Sequence, residues 1–373
     1  MLDNKNNTID LSSPEKIRDT LQTALKNIGK FEKCALLDYP DYLNIGDHLI
    51  WLGTVFYLTD VLKTKINYAA SIEDFSEESM EERVGQAPIF LQGGGNLGDL
   101  WLKHQEFRER IISKYRNQPI IILPQTIYFK NQDNLKRAAN VFNSHPNLTI
   151  FTRDNYSYET ACQQFPNCQV IKAPDMAFNL VNIPGLSFQV NQKSSILYHC
   201  RRDYKNFSND SLELPSLVVE DWVSYKWISR ENPVNPKAWY WKHPNIARLL
   251  REVWQRGLSH PSEWLSRQIW QNFHPYTNKF NSIDNPSLSH HSWSLMHSGM
   301  YQLKQPRLVI TNRMHGHILC LILNIPHIFL PGSYHKNKSF YETWTNQISF
   351  CRLVEDASQI KKVTQEILAN ISD

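Results

Sequence analysis

Pro88-Ile89-Phe90-Leu91-Gln92-Gly93-Gly94-Gly95-Asn96-Leu97-Gly98-Asp99 reads as an apolar strand, Pro88–Gln92, that breaks into a run of glycines. A short apolar run bounded by turn residues predicts a strand buried on both faces. Three consecutive glycines carry an entropic cost, which is best explained by something approaching the main chain closely. The spacing is not the dinucleotide fingerprint, and no Gly-Lys-Ser/Thr follows to make a Walker loop. The stretch therefore predicts a ligand-facing turn at the carboxyl end of a parallel strand, where doubly wound folds bind.

The same grammar recurs on either side. Strands are expected near Lys33–Leu37, Ile120–Leu123, Leu148–Thr152 and Gln169–Lys172. Helical stretches lie between them, such as Asp47–Leu58 with Leu49, Leu52, Val55 and Phe56 on one face. This alternation predicts an α/β unit with a parallel sheet, ending around Asn182. A second α/β pattern is split: strand Ser195–Cys200 comes early, while strand Leu308–Thr311, helix His315–Leu323 and strand Pro326–Leu330 come about a hundred residues later. The interval holds eight of the eleven tryptophans: Trp222, Trp227, Trp239, Trp241, Trp254, Trp264, Trp270 and Trp293. It also holds an amphipathic helix, Asn245–Arg256, stopped by Gly257. Ala357–Ile371 reads as a closing helix with Ile360, Val363, Ile367 and Leu368 inward.

Length and charge narrow the classes. At 373 residues the chain exceeds what one core usually serves, which predicts two domains or one with a large insertion. A net charge of +4 from 40 basic and 36 acidic residues is too thin for a nucleic-acid footprint, so anion binding must be local. Six scattered cysteines suit reduced thiols, and no Cys or His spacing predicts a metal site: His315 and His317 do not share a helix face, and His290-His291 has no second pair nearby. The polar start lacks a signal-peptide profile, and the longest apolar stretch, Ile318–Leu323, is far short of the roughly 20 residues of a span. A soluble, cytoplasmic protein is expected.

Further strand-end turns carry chemistry. In Asn44-Ile45-Gly46-Asp47-His48, Gly46 permits a tight turn and Asp47 caps a helix, leaving amides to face a substrate; a capped helix start with no ligand is the plain alternative. Thr152-Arg153-Asp154 places an arginine at a strand end. Asn312-Arg313-Met314-His315-Gly316-His317 places Arg313 and His315 at the mouth of a helix, where guanidinium and helix dipole together trap phosphate or carboxylate and the imidazole can carry a proton. Arg201-Arg202-Asp203 and the loop Ser333-Tyr334-His335-Lys336-Asn337-Lys338 add basic groups, which as charge runs are as readily solvated faces.

Taken in order, Asn44-Ile45-Gly46-Asp47, Gln92-Gly93-Gly94-Gly95-Asn96 with Gly98-Asp99, Arg153-Asp154, Ala173-Pro174-Asp175 and Thr311-Asn312-Arg313-Met314-His315-Gly316 resemble the polysaccharide pyruvyltransferase family, from about residue 33 to 350. The resemblance implies two Rossmann-like domains facing across a cleft, as in GT-B glycosyltransferases. The first would span residues 1–185. The second, donor-binding domain would span 186–353 with a Trp-rich insertion at about 205–300, and a closing helix at 354–373 would pack back on the first domain. It also implies transfer of pyruvate from phosphoenolpyruvate to sugar hydroxyls of a surface polysaccharide or its lipid-linked precursor, forming a ketal without cofactor, metal or nucleotide.

On that reading Arg313, Arg153, Arg201, Arg202 and Lys336, with Gly93, Gly94, Gly95 and Asn96, hold the donor. His315 and Asp47 move protons, and Asn44, His48 and Trp222 meet the acceptor. Peripheral contact with a membrane-bound acceptor is compatible, and nucleic acid is not a partner. Rival readings are a nucleotide-sugar glycosyltransferase on a GT-B scaffold and a non-catalytic glycan-binding protein.

Overall fold

The computed structural model describes residues 9–184, 186, 190, 192–201, 212, 214–224 and 261–371. The fold is mixed α/β with two sheets, parallel at every strand pair. The first comprises β1 (Lys33–Tyr39), β2 (Lys65–Ser71), β3 (Ile89–Leu91), β4 (Gly94–Gly98), β5 (Ile120–Tyr128), β6 (Leu148–Thr152) and β7 (Gln169–Lys172). Its order is β2-β1-β3-β5-β6-β7, with β4 beside β5. The second comprises β8 (Ile196–His199), β9 (Leu217–Glu220), β10 (Leu308–Thr311), β11 (His327–Phe329) and β12 (Cys351–Leu353), in the order β12-β11-β10-β8-β9.

Strand alternation assigns the cores. In the first sheet Leu36, Phe90, Ile121 and Phe151 face one cluster, while Ala35, Leu37, Ile89, Leu91, Ile120 and Ile122 face another. In the second, Leu197, Val309 and Phe329 join the same cluster as Leu36 and Phe90, so the two sheets share one apolar core. At its centre lies α2 (Ile45–Phe56), which follows α1 (Pro14–Leu25); every residue of α2 except Asp47 is buried. A helix apolar on all sides has neighbours on all sides. The extra cover that a single apolar face does not foretell is α8 (Pro286–Lys304), from the Trp-rich segment: Trp51 Nε1 donates to Ser289 Oγ at 3.2 Å, and His48 Nδ1 lies 2.9 Å from Ser292 Oγ.

The remaining helices are α3 (Glu77–Val84), α4 (Leu102–Lys114), α5 (Gln132–Ser144), α6 (Asn155–Gln164), α7 (Pro261–Phe273), α9 (Met314–Ile322), α10 (Lys336–Phe340) and α11 (Ile360–Ile371). No helix among the described residues is long and apolar enough to cross a membrane. Within the Trp-rich segment Trp270 stacks on Trp293 at 4.7 Å. The expected helix Asn245–Arg256 and Trp227, Trp239, Trp241 and Trp254 lie outside the described residues.

Two elements depart from the sequence reading. The glycine run is more than a turn, because Gly94–Gly98 forms β4 and pairs with Gln125–Tyr128 of an unexpectedly long β5. The closing helix stays on the second sheet, where Ile360 and Ile367 pack with Ile196, Leu308 and Ile328. The chain returns to the first sheet earlier, through α10 and the turn after it. Ser339 Oγ donates to Asp154 Oδ1 at 3.1 Å, and Trp344 Nε1 donates to the Arg153 carbonyl at 2.8 Å.

Asp154 thereby combines two duties: it caps α6 by accepting from Ser157 N at 2.8 Å, and it ties α10 to β6. Asp154→Ala is expected to lower stability by roughly 2 kcal/mol, a lost cap plus unpaired neighbours. Urea denaturation of the two proteins measures this.

Candidate functional site

The carboxyl ends of both sheets deliver basic side chains to one place. β6 ends at Arg153, whose guanidinium is buried: Nε donates to Thr126 Oγ1 at 3.0 Å and Nη1 to Asp175 Oδ2 at 2.5 Å. Asp175 follows β7 and is fully buried, and its other oxygen accepts from Ala177 N at 2.9 Å. From the second sheet His315, in the first turn of α9, brings Nε2 to 3.4 Å from the same Asp175 oxygen. Burial alone would push the Asp175 carboxyl up, but the charges of His315 and Arg153 hold it well below the usual carboxylate range.

His315 is held from the opposite side by backbone. A Cβ on Gly46 would lie 2.4 Å from His315 Nδ1, so the ring rests directly on the start of α2 and only glycine admits it. Gly95 has a similar relation to the cations: a Cβ there would meet Arg153 Nη2 at 3.1 Å and Lys336 Nζ at 3.9 Å. Lys336, at the start of α10, is half-buried. Burial, then the charges of Arg153, Arg201 and Arg313, pull its ammonium down to about 7, with Asp47 opposing. Four cations therefore converge; Arg153 pairs with Asp175, and Arg313 with Asp221 at 2.5 Å.

Asp47 faces this cluster as the one unburied residue of α2, oriented by Asn44 Nδ2, which donates to its Oδ2 at 2.6 Å. Of the other expected residues, Gly94 lies beside Asp47, where an added Cβ would be 3.6 Å from its Oδ1, while Gly93, Asn96, His48 and Trp222 are engaged in packing and structural bonds. Gly93 packs against the Pro124 carbonyl, and Gly94 holds φ 133°, a left-handed value that suits glycine. Asn96 is occupied in holding Arg108 and Gln125. His48 is buried, with its nitrogens 2.9 Å from Ser292 Oγ and 2.7 Å from the Tyr42 carbonyl, so it serves helix packing. Trp222 is buried edge-on to His199, ring centroids 4.1 Å apart, so it too is packing rather than an open sugar platform. Arg202 lies outside the described residues.

Three groups were missed from sequence. Asp175 was visible as part of Ala173-Pro174-Asp175, yet only folding shows that it gathers Arg153 and His315. The second group is Asp38 with His104 and Arg108. Asp38, at φ 70° near the end of β1, takes His104 Nδ1 at 2.7 Å and Arg108 Nη2 at 2.6 Å, an imidazole oriented by a buried carboxylate beside Tyr42. The third is a buried set, His317, His327 and Cys351, the ligand-type group found among the described residues. His317 Nδ1 lies 2.7 Å from His327 Nε2, its Nε2 is 3.0 Å from Thr345 Oγ1, and His327 Nδ1 donates to the Ile325 carbonyl at 2.7 Å, a chain of satisfied hydrogen bonds.

The cluster can bind an anion bearing two acidic groups, with an imidazole and a carboxylate at its edge. A family model described as "Polysaccharide pyruvyl transferase" matches residues 44–334. EpsO of Bacillus subtilis (strain 168), which bears a pyruvyl transferase name, is 29% identical over 96% of this chain and 98% of its own length. Pyruvyl transferase 1 of Schizosaccharomyces pombe (strain 972 / ATCC 24843) is 25% identical, covering 84% of this chain and 70% of its own. The crystal structure of the uncharacterized protein KP1_0663 from Klebsiella pneumoniae subsp. pneumoniae NTUH-K2044 shares the fold, with TM-score 0.52 and 17% identity over 92% of this chain and 98% of that one.

Lys336 yields a sign-specific test. Its folded pKa is lowered, so between about 7 and its ordinary value the unfolded chain binds more protons and stability rises with pH. Below that window the cost of the confined ammonium is complete. Lys336→Met is expected to raise the melting temperature of the ligand-free protein at pH 6 by roughly 1–3 °C. The gain should shrink towards pH 10. Calorimetry at the two pH values checks it, and a lower melting temperature at pH 6 would contradict the crowding of cations.

Proposed function

Because the chain belongs to the polysaccharide pyruvyl transferase family, we propose that it transfers the enolpyruvyl group of phosphoenolpyruvate to sugar hydroxyls of a surface polysaccharide or its lipid-linked precursor. The observation that carries the reading is the gathering of Arg153, Arg201 and Arg313 about Lys336, with Asp47 acting on the same ammonium and His315 sharing Asp175 with Arg153. Phosphoenolpyruvate has a phosphate and a carboxylate, and cations spread over two positions match both. A nucleotide-sugar transferase and a non-catalytic glycan binder are not favoured by the family match.

In this mechanism His315, beside Asp175, gives a proton to the methylene carbon of the enol, and the first sugar hydroxyl adds to the adjacent carbon. Asp47 accepts that hydroxyl's proton. The carbon–oxygen bond to phosphate breaks, phosphate departs held by the guanidinium groups, and a second hydroxyl closes the ketal. His104, oriented by Asp38, is the second proton acceptor nearest the Tyr42 side of α2. The reading needs no resident metal or nucleotide. We place the two sheets in two Rossmann-like units, the first to about residue 185 and the second to about 353, whose carboxyl edges face a shared cleft. We place the protein in the cytoplasm, in peripheral contact with membrane-borne acceptor.

Incubation with phosphoenolpyruvate and lipid-linked or free oligosaccharides should release phosphate and add to the sugar the mass of pyruvic acid less one water. Nucleotide sugars should do neither. In heavy water the product methyl group should carry deuterium, seen by mass spectrometry; a methyl with only original hydrogens would exclude protonation at the enol carbon.

Arg313 and His315 should fail differently. Arg313→Ala is expected to weaken donor binding by roughly 2–4 kcal/mol, the scale of breaking a desolvated charge contact. His315→Gln is expected to lower kcat about a hundredfold or more with KM for the donor near normal. Steady-state kinetics separate the two, and a wild-type kcat in His315→Gln would remove the proton carrier.

A further inference from the structure

We propose that the cleft beside the cation cluster is a second glycan subsite, holding sugar units of the acceptor other than the one that is modified; it rests on the pyruvyl-transfer reading above. The cleft has a volume of about 760 Å³, and its lining includes Asp99, Tyr128, Lys130, Gln132, Asn134 and Tyr334. Tyr128 comes from the first sheet and Tyr334 from the loop before α10, with ring centroids 4.8 Å apart and planes tilted by 45°. Rings together with planar amides suit a neutral, hydroxyl-rich ligand, whose C–H faces lie on the rings while its hydroxyls bond to the amides.

The charge of the cleft agrees with a neutral ligand. Its two charged side chains, Asp99 and Lys130, are opposite in sign, and Asp99 is already engaged, accepting from Lys130 N at 2.8 Å and Asn131 N at 2.7 Å. Those bonds fix the loop, and Asn131 then caps α5 by accepting from Asp133 N at 2.7 Å, so the cleft is preformed. On the rim Leu100, Trp101 and Leu102 are 42%, 50% and 40% exposed, three consecutive apolar side chains of a kind that marks a contact surface.

Position ties the cleft to the donor site. β4 carries Gly95, against Arg153 and Lys336, near its start and ends at Gly98, next to Asp99. Four residues of strand from Gly95 to Asp99 span about 13 Å. Tyr334 precedes Lys336 by two residues, so one loop serves both places. A glycan with its terminal sugar at the cations would pass along β4, and its inner sugars would reach Tyr128 and Tyr334.

Saturation-transfer NMR on the full chain, with tagged mono-, di- and tetrasaccharides of glucose and of galactose, tests the subsite directly. The expected result is that a tetrasaccharide binds at least tenfold more tightly than its monosaccharide, and that Tyr334→Ala and Gln132→Ala each remove most of this gain. Gln132 is exposed, so that variant keeps the fold. Monosaccharide binding and the melting shift caused by phosphoenolpyruvate should stay unchanged in Gln132→Ala. If no tetrasaccharide in the panel outbinds its monosaccharide, or if the gain survives both substitutions, the subsite is overturned. If phosphoenolpyruvate gives wild-type protein no melting shift while the length-dependent glycan binding persists, the subsite stands and the donor reading falls.

Discussion

One buried carboxylate holds the site together. Asp175 sits between a guanidinium from the first sheet and an imidazole from the second, and all three side chains are almost fully inside the protein. A charge in that position is costly unless partners satisfy it, and removing one partner of such a group leaves the rest exposed to the full desolvation penalty. Arg153 and His315 are therefore positioned by the same oxygen, so any shift of one sheet against the other is felt at both. The main-chain bond from Ala177 N to the second Asp175 oxygen fixes the carboxylate's orientation, which makes it a reference point rather than a mobile counter-ion.

The core and the site are continuous through α2. Its buried side chains carry the apolar contact between the sheets, while its first turn supplies Gly46 under His315 and Asp47 facing the cations. Packing and chemistry are consequently coupled at a single helix start. Gly46 is fixed by the ring above it, Asn44 by its bond to Asp47, and His48 by Ser292 of α8. The sequence Asn44-Ile45-Gly46-Asp47-His48 thus has a separate physical task at nearly every position.

This division explains what could be read in advance. The strands β1, β3, β6 and β7 were legible because each is a short apolar or alternating run with turn residues at its ends, and Arg153, Arg313 and His315 were legible because they stand at strand ends or a helix start. The role of Asp175 was not, since an Ala-Pro-Asp turn looks like any loop until β7 brings it under Arg153. Asp38, His104 and Arg108 escaped for the same reason: they are far apart in sequence, and a carboxylate inside the apolar run Cys34–Tyr39 reads as an interruption of a strand. The enclosure of α2 was hidden because α8 carries serines and histidines where an apolar stripe would have announced a helix–helix contact. Those polar groups are buried and bonded instead, as Ser289 and Ser292 show.

Crowded positive charge collects at the candidate site. Lys336 is kept close to three guanidinium groups, and Asp38, bonded to His104 and Arg108, holds φ 70° near the end of β1. Each of these features opposes stability. A protein whose only demand was to fold would replace Lys336 with an uncharged residue and relax the turn at Asp38. That the chain keeps Lys336 among the guanidinium groups is best understood as preparation for an anion: ligand charge would satisfy the crowded cations, and rigid backbone would hold them for it before it arrives.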